Sequence, residues 1–134
     1  MHEYKLIALD LDGTLLDSGK RLSPKNAAAL RRAAESGAQI VPTTGRFFDG
    51  MPQVIRELPY LCYAITINGA QVLDVRTGSV LYRAEIPLPR ALAIMEYLDT
   101  LPVIYDCYCG SWGWITRAMQ DAAPEFISDV HSLH

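Results

Sequence analysis

The chain has 134 residues, half of them hydrophobic and 20% charged, with 12 Lys/Arg against 15 Asp/Glu and a formal net charge of −3. That length suits one ordinary domain, or one domain and part of another, and the composition supports a packed core rather than disorder. The basic residues are scattered and the balance is acidic, which argues against nucleic acid and against an anionic membrane surface as partner.

Taken in chain order, Tyr4 to Leu9 reads as a buried strand, because Leu6, Ile7, Ala8 and Leu9 are continuously apolar, as central parallel strands are. Asp10 and Asp12 then interrupt the only early apolar run, so no signal-peptide layout is expected. No apolar run approaches the ~20 residues that span a bilayer. Leu15 to Leu22 is a polar excursion around Asp17-Ser18-Gly19-Lys20. Ser23-Pro24 supplies an N-cap followed by proline at the first helical position. Ala27, Leu30, the Arg31 stem and Ala34 share one side of the helix that follows, and Gly37 stops it. Ala38 to Pro42 is a second short strand, Asp49 to Glu57 a helix with Pro52 in its first turn, and Leu61 to Ile67 a third strand. Strand, helix, strand, helix, strand argues for a parallel sheet with helices on its faces.

The pattern then changes. Gln71 to Val75 and Ser79 to Arg83, joined by Arg76-Thr77-Gly78, read as an antiparallel hairpin. Pro87 and Pro89 place a domain boundary near Glu85 to Leu88. A helix over about Arg90 to Thr100, strands at Val103 to Cys109 and Trp112 to Thr116, and a short helix near Arg117 to Ala122 complete the pattern. The three cysteines, Cys62, Cys107 and Cys109, make no disulfide framework, and the expectation is core thiols in a reducing, cytoplasmic compartment. Cys107 and Cys109 with His131 and His134 fit no standard metal-ligand spacing. Trp112 and Trp114 share a strand face, and packing in a core or interface is favoured over substrate contact.

Chemistry concentrates where the first three strands end: Asp10-Leu11-Asp12-Gly13-Thr14, Thr44-Gly45-Arg46 and Asn68-Gly69-Ala70. In an extended chain, side chains at i and i+2 point the same way, so Asp10 and Asp12 can face one pocket. Two such carboxylates repel, and a metal cation or a shared proton relieves the cost. In a parallel α/β sheet the C-terminal strand ends share one edge, where ligands bind. Two carboxylates, a hydroxyl, an amide and glycine-permitted backbone N–H groups at one edge suit a metal ion and a phosphoryl group. The alternatives taken singly are a solvated acidic loop for the first cluster, a surface ion pair for Arg46 and a plain turn for Asn68-Gly69.

These residues carry a family resemblance. Asp10-Leu11-Asp12-Gly13-Thr14-Leu15-Leu16 resembles motif I of the haloacid dehalogenase (HAD) superfamily, Thr44-Gly45-Arg46 resembles motif II of its Cof-type branch, and Asn68-Gly69-Ala70 a further signature of that branch. The likeness is specific up to about residue 84 and looser beyond. It implies an α/β fold: a Rossmann-like parallel-sheet core in residues 1–85, incomplete, followed by part of an α/β cap in residues 86–134. It implies a Mg²⁺-dependent phosphatase acting on a small, sugar-phosphate-like metabolite through an aspartyl-phosphate. Asp10 would be the nucleophile and Asp12 the general acid/base. Mg²⁺ would sit on the Asp10 carboxylate and the Asp12 backbone carbonyl. Thr44 and Gly45 would hold phosphate oxygens, Leu11 joins them among the phosphate-binding residues, and Arg46 and Asn68 would touch substrate.

The family also uses a motif III lysine and a motif IV acidic pair. The lysines here are Lys5, Lys20 and Lys25, all upstream, and no Gly-Asp followed by a second Asp comes after Asn68. The expectation is therefore a chain that stops inside the cap and is impaired as a phosphatase. The rival from another class is a non-catalytic binding or assembly module. A receiver-type phospho-acceptor domain fits less well, since its acceptor Asp would follow a later strand. With the returning core strands missing, Tyr4 to Leu9 would be an exposed apolar edge, and a second copy, a swapped segment or another shield is expected to cover it.

Overall fold

A computed structural model describes residues 5–110 and 112–122. The chain divides between Ala84 and Glu85 into two compact units.

In the first unit, β1 (Leu6–Leu9) runs into a coiled loop and then α1 (Pro24–Glu35). The helix begins where the sequence sets its cap: Ser23 is extended, and its Oγ accepts from the Asn26 N–H at 3.1 Å. Asn26 in turn donates its side-chain N–H to the Leu15 carbonyl at 3.0 Å, tying the helix start to the loop after β1. Beyond the last turn Gly37 adopts φ +93°, the left-handed conformation that lets the chain reverse into β2 (Gln39–Pro42). β2 lies parallel to β1, with Ile7 opposite Ile40 and Leu9 opposite Pro42.

Residues Phe48–Gly50 form one 3₁₀ turn, and α2 (Gln53–Arg56) is a single helical turn. The longer helix expected over Asp49 to Glu57 is broken by Pro52, which stands at the N-cap of α2 with φ/ψ of −54°/136°, outside the helical region. β3 (Tyr63–Thr66) joins β2 through parallel bridges Ile40–Leu61 and Thr43–Ile65. β4 (Gln71–Asp74) and β5 (Ser79–Arg83) then add an antiparallel meander, β3-β4-β5, turning at Gly78.

The core of this unit lies beneath the strand ends: Leu11, Leu15 and Leu16 from the loop after β1 pack with Leu30, Ile40, Met51, Ile55 and Ala64. β1 is less buried than its apolar run implies. Among the described residues its one strand partner is β2, and Leu6 is 57% exposed while Ile7 and Leu9 pack against the core. Among the described residues β1 is thus an edge, and alternation replaces burial on both faces.

The second unit holds α3 (Leu88–Leu98), the hairpin of β6 (Cys107–Cys109) and β7 (Trp112–Trp114), and α4 (Arg117–Ala122). Pro87 caps α3 and starts it two residues earlier than Arg90. Tyr105 donates its hydroxyl to Asp99 Oδ1 at 2.7 Å, and that carboxylate pushes the phenol up to about 12. Among the described residues of this unit no side chain is fully buried. The core reading of Cys109 is therefore corrected, since it is exposed; Trp114 is 62% exposed, which excludes a core place for it in this unit and leaves interface packing, and Cys107 is half-buried, as is Cys62 in the first unit. Among the described residues the hairpin has two short strands and no third to cover them. His131 and His134 lie outside the described residues. Among the described residues no helix is long and apolar enough to cross a membrane.

Leu11→Ala should cost about 2–5 kcal/mol in urea unfolding, because a fully buried leucine leaves a cavity at the centre of the core. Leu6→Ala, at the open edge, should stay within about 0.5 kcal/mol.

Candidate active site

The strand ends at Leu9 and the backbone then coils instead of continuing extended. Gly13 takes φ +75°, and the N–H groups of Thr14 and Leu16 donate to the Leu11 carbonyl while that of Leu15 donates to Asp10. The coil turns Leu11, Leu15 and Leu16 inward and leaves Asp10, Gly13 and Thr14 exposed and Asp12 partly so. Leu11, placed among the phosphate-binding residues by resemblance, has its side chain wholly in the core, so any contact from this residue belongs to its backbone.

Asp10 and Asp12 have different partners. Asp10 Oδ2 accepts from the Thr14 hydroxyl at 2.7 Å. Asp12 accepts from Arg46 Nε on Oδ2 at 2.8 Å, from Arg46 Nη2 on Oδ1 at 3.3 Å, and from Lys20 Nζ on Oδ1 at 2.8 Å. Arg46, with partial burial, is anchored further by the Gly50 carbonyl at 3.3 Å. The Arg46 hydrogen bond foremost, and Lys20 after it, hold the Asp12 carboxyl below its ordinary range, against the opposing effect of partial burial.

The second and third strand ends are sewn together through their backbones. The buried Thr44 donates its N–H to Ile65 and accepts from the Asn68 N–H, and Ile67 N–H donates to the Arg46 carbonyl. The Arg46 N–H reaches the Thr44 hydroxyl oxygen at 3.2 Å. Ile67 and Asn68 both sit at φ +52°. For asparagine that is tolerable, but for a β-branched isoleucine it costs about 1–2 kcal/mol, so the bonds into the second strand end over-determine this turn. Gly45 faces the same turn: a Cβ there would lie 2.9 Å from Asn68 Oδ1. Its lack of a side chain lets the Asn68 amide sit against the backbone.

Asp12, Thr44, Gly45, Arg46 and Asn68 thus form one connected group, and Asp10 belongs to the same loop as Asp12. Two residues of the constellation, Thr14 and Lys20, were not among the residues singled out from sequence. Thr14 stood inside the first motif. For Lys20 the one available signal was the turn-forming Asp17-Ser18-Gly19 just before it, which says nothing about where an ammonium eight residues from Asp12 will point.

A family model for haloacid dehalogenase-like hydrolases matches residues 7–132. The chain belongs to that family. Within it the likeness is to Cof-type members. Phosphatase YwpJ of Bacillus subtilis is 36% identical over 107 residues, covering 80% of this chain and 37% of that protein. Pyridoxal phosphate phosphatase YbhA of Escherichia coli is 38% identical over 95 residues, covering 71% and 35%. The solved structure of a haloacid dehalogenase-like hydrolase from B. subtilis superposes with a TM-score of 0.75 at 33% identity, covering 88% of this chain and 42% of that one. The chain spans less than half the length of each of these relatives.

Members of this family generally use Mg²⁺. Among the described residues no group of three or more His, Cys, Asp or Glu side chains converges. Asp12's carboxylate is already engaged by two cations, which leaves the exposed Asp10 carboxylate and the Asp12 carbonyl as oxygen donors. Oxygen donors of this kind are those a hard cation such as Mg²⁺ takes.

Because the folded Asp12 titrates lower than an unfolded aspartate, its ion pairs add stability above about pH 4 and lose it as the pH falls through the depressed folded value. The Tm difference between wild type and Asp12→Asn should therefore shrink below about pH 4; a difference constant down to about pH 2 would contradict the pairing. Gly45→Ala should displace Asn68, seen as a shift of the Asn68 side-chain amide resonances without unfolding.

Proposed function

We propose that this chain carries the nucleophile-and-substrate side of a phosphatase site for a small phosphorylated metabolite, with residues 1–85 as the core portion and 86–134 as part of a cap. The observation that carries it is the Asp12–Arg46 ion pair, which joins the end of β1 to the end of β2 where Thr44 and Gly45 meet Asn68. A carboxylate loop, a hydroxyl, a guanidinium and an amide then stand at one edge of a parallel sheet, the inventory a phosphate monoester requires. The naming of relatives as a phosphatase and a pyridoxal phosphate phosphatase supports the substrate class.

In this proposal Asp10, oriented by the Thr14 hydroxyl, attacks phosphorus; the bond to the leaving alcohol oxygen breaks and that oxygen takes a proton from Asp12. Asp12, now a carboxylate, accepts a proton from water, whose oxygen attacks the phosphorus of the aspartyl-phosphate. Inorganic phosphate leaves and the Asp10 carboxylate is restored. The Thr44 hydroxyl and the Gly45 N–H hold phosphate oxygens, the Leu11 backbone closes around them, and Arg46 and Asn68 touch the substrate. The Asp10 carboxylate and the Asp12 carbonyl would hold Mg²⁺, which would supply charge neutralisation between nucleophile and phosphate.

One observation favours a second reading, binding without turnover. Asp12 is clamped by two cations that favour its ionised form, which suits the base half of the reaction and disfavours the acid half.

Hydrolysis of an aryl phosphate by this chain with Mg²⁺ separates the two. Turnover should vanish in Asp10→Asn and on chelation of the metal, and fall about 10²–10⁴-fold in Asp12→Asn. Equal rates for wild type and Asp10→Asn would exclude a nucleophilic Asp10. Phosphate binding with no turnover would support the binding module.

A further inference from the structure

We propose that Lys20 is a phosphate-contacting residue of this site, an ammonium delivered by the loop after the carboxylates and shared between Asp12 and the bound phosphate. The proposal rests on the phosphoryl-site reading above and adds a residue to it.

Three observations place Lys20. The first is the loop. Asp17 organises residues 17–21 into a closed turn: its Oδ1 accepts the N–H groups of Gly19 and Arg21, both at 2.9 Å, and its Oδ2 accepts Arg21 Nε at 3.0 Å. Backbone bonds from Lys20 N–H to the Asp17 carbonyl and from Asp17 N–H to the Arg21 carbonyl close it further. Leu16, the residue before the turn, is buried and bridges antiparallel to Leu22, so the turn stands on the core.

The second is the backbone of Lys20 itself, at φ +57°. A left-handed lysine is strained where glycine would not be, so a residue with a long cationic side chain stands where local structure alone would favour glycine. The third is where that side chain goes: Nζ lies 2.8 Å from Asp12 Oδ1, the oxygen that Arg46 Nη2 also approaches at 3.3 Å. The side chain is 40% exposed.

The charge balance explains what the ammonium adds. Asp10 and Asp12 present two negative charges at the edge, Arg46 offsets one, and a phosphate monoester would meet net repulsion. Lys20 brings these four side chains to a net charge of zero. Its flexible four-carbon stem lets Nζ pass from the Asp12 carboxylate to a phosphate or leaving-group oxygen beside it, a move that the planar Arg46, bound to Asp12 and Gly50 together, makes less readily.

A structural pin for the loop would also contact Asp12, and substitutions that separate strain from charge distinguish the two roles. Titration of the chain with inorganic phosphate in the presence of Mg²⁺, by calorimetry, is the readout, with Tm measured alongside. Lys20→Gly removes the ammonium and relieves the positive φ, so it should keep or raise Tm while weakening phosphate binding about tenfold. Lys20→Met should weaken it similarly, and Lys20→Arg should recover most of the affinity. Wild-type affinity in Lys20→Gly, with Arg46→Gln still weakened, would overturn the role of Lys20 and leave the site standing. No phosphate binding by the wild-type chain would overturn the phosphoryl-site reading and this proposal with it.

Discussion

Arg46 reaches back 34 positions to grip Asp12, and the organisation of the edge depends on that one ion pair. The loop after β1 is fixed by Leu11, Leu15 and Leu16 in the core, by Asn26 on the Leu15 carbonyl and by the guanidinium on Asp12. Arg46 is in turn fixed by its place in the chain. Its N–H lies on Thr44, its carbonyl receives Ile67, and its Nη1 meets Gly50. The Arg46 side chain therefore ties the β2–β3 junction to the Asp12 carboxylate. Partial burial matters here, because a fully exposed pair of the same charges would be screened and would hold nothing in place.

The fold was legible where local chemistry acts alone. Ser23-Pro24 marked the start of α1, the apolar runs marked three parallel strands, and Gly78 marked the hairpin, because a cap, a period or a positive φ leaves its own residue type behind. What escaped depended on partners distant in sequence. An apolar run records what a strand is suited to and not how many neighbours it has, and among the described residues Leu6 of β1 stands exposed at an edge. The helix over Asp49 to Glu57 failed at Pro52 because the proline, expected inside the first turn, stands instead as the N-cap of a separate single turn.

The candidate site was legible in the same uneven way. Its first carboxylates, its arginine and its asparagine stood in motifs at strand ends, and the parallel order of β1, β2 and β3 brings those ends to one edge. The reason offered for Asp10 and Asp12 was incomplete: the backbone between them coils through Leu11, and each carboxylate finds its own donor. Lys20 was invisible because no rule of spacing carries an ammonium across a turn to a carboxylate eight residues away. The left-handed Ile67 was hidden for a related reason, since isoleucine carries no signature of a conformation that only its surroundings enforce. The second unit shows the converse. Its elements were mostly placed, yet its apolar side chains find no core among the described residues, so pattern fixed secondary structure without fixing burial.

A double-mutant cycle on Asp12 and Arg46 addresses the central claim most directly. Unfolding free energies of Asp12→Asn, Arg46→Gln and the pair together should reveal a coupling beyond about 0.5 kcal/mol that weakens with added salt, because each residue depends on the other for its position. Effects that simply add, at low salt and neutral pH, would mean that the edge is organised without the ion pair, contrary to the structure's reading of Arg46 as its keystone.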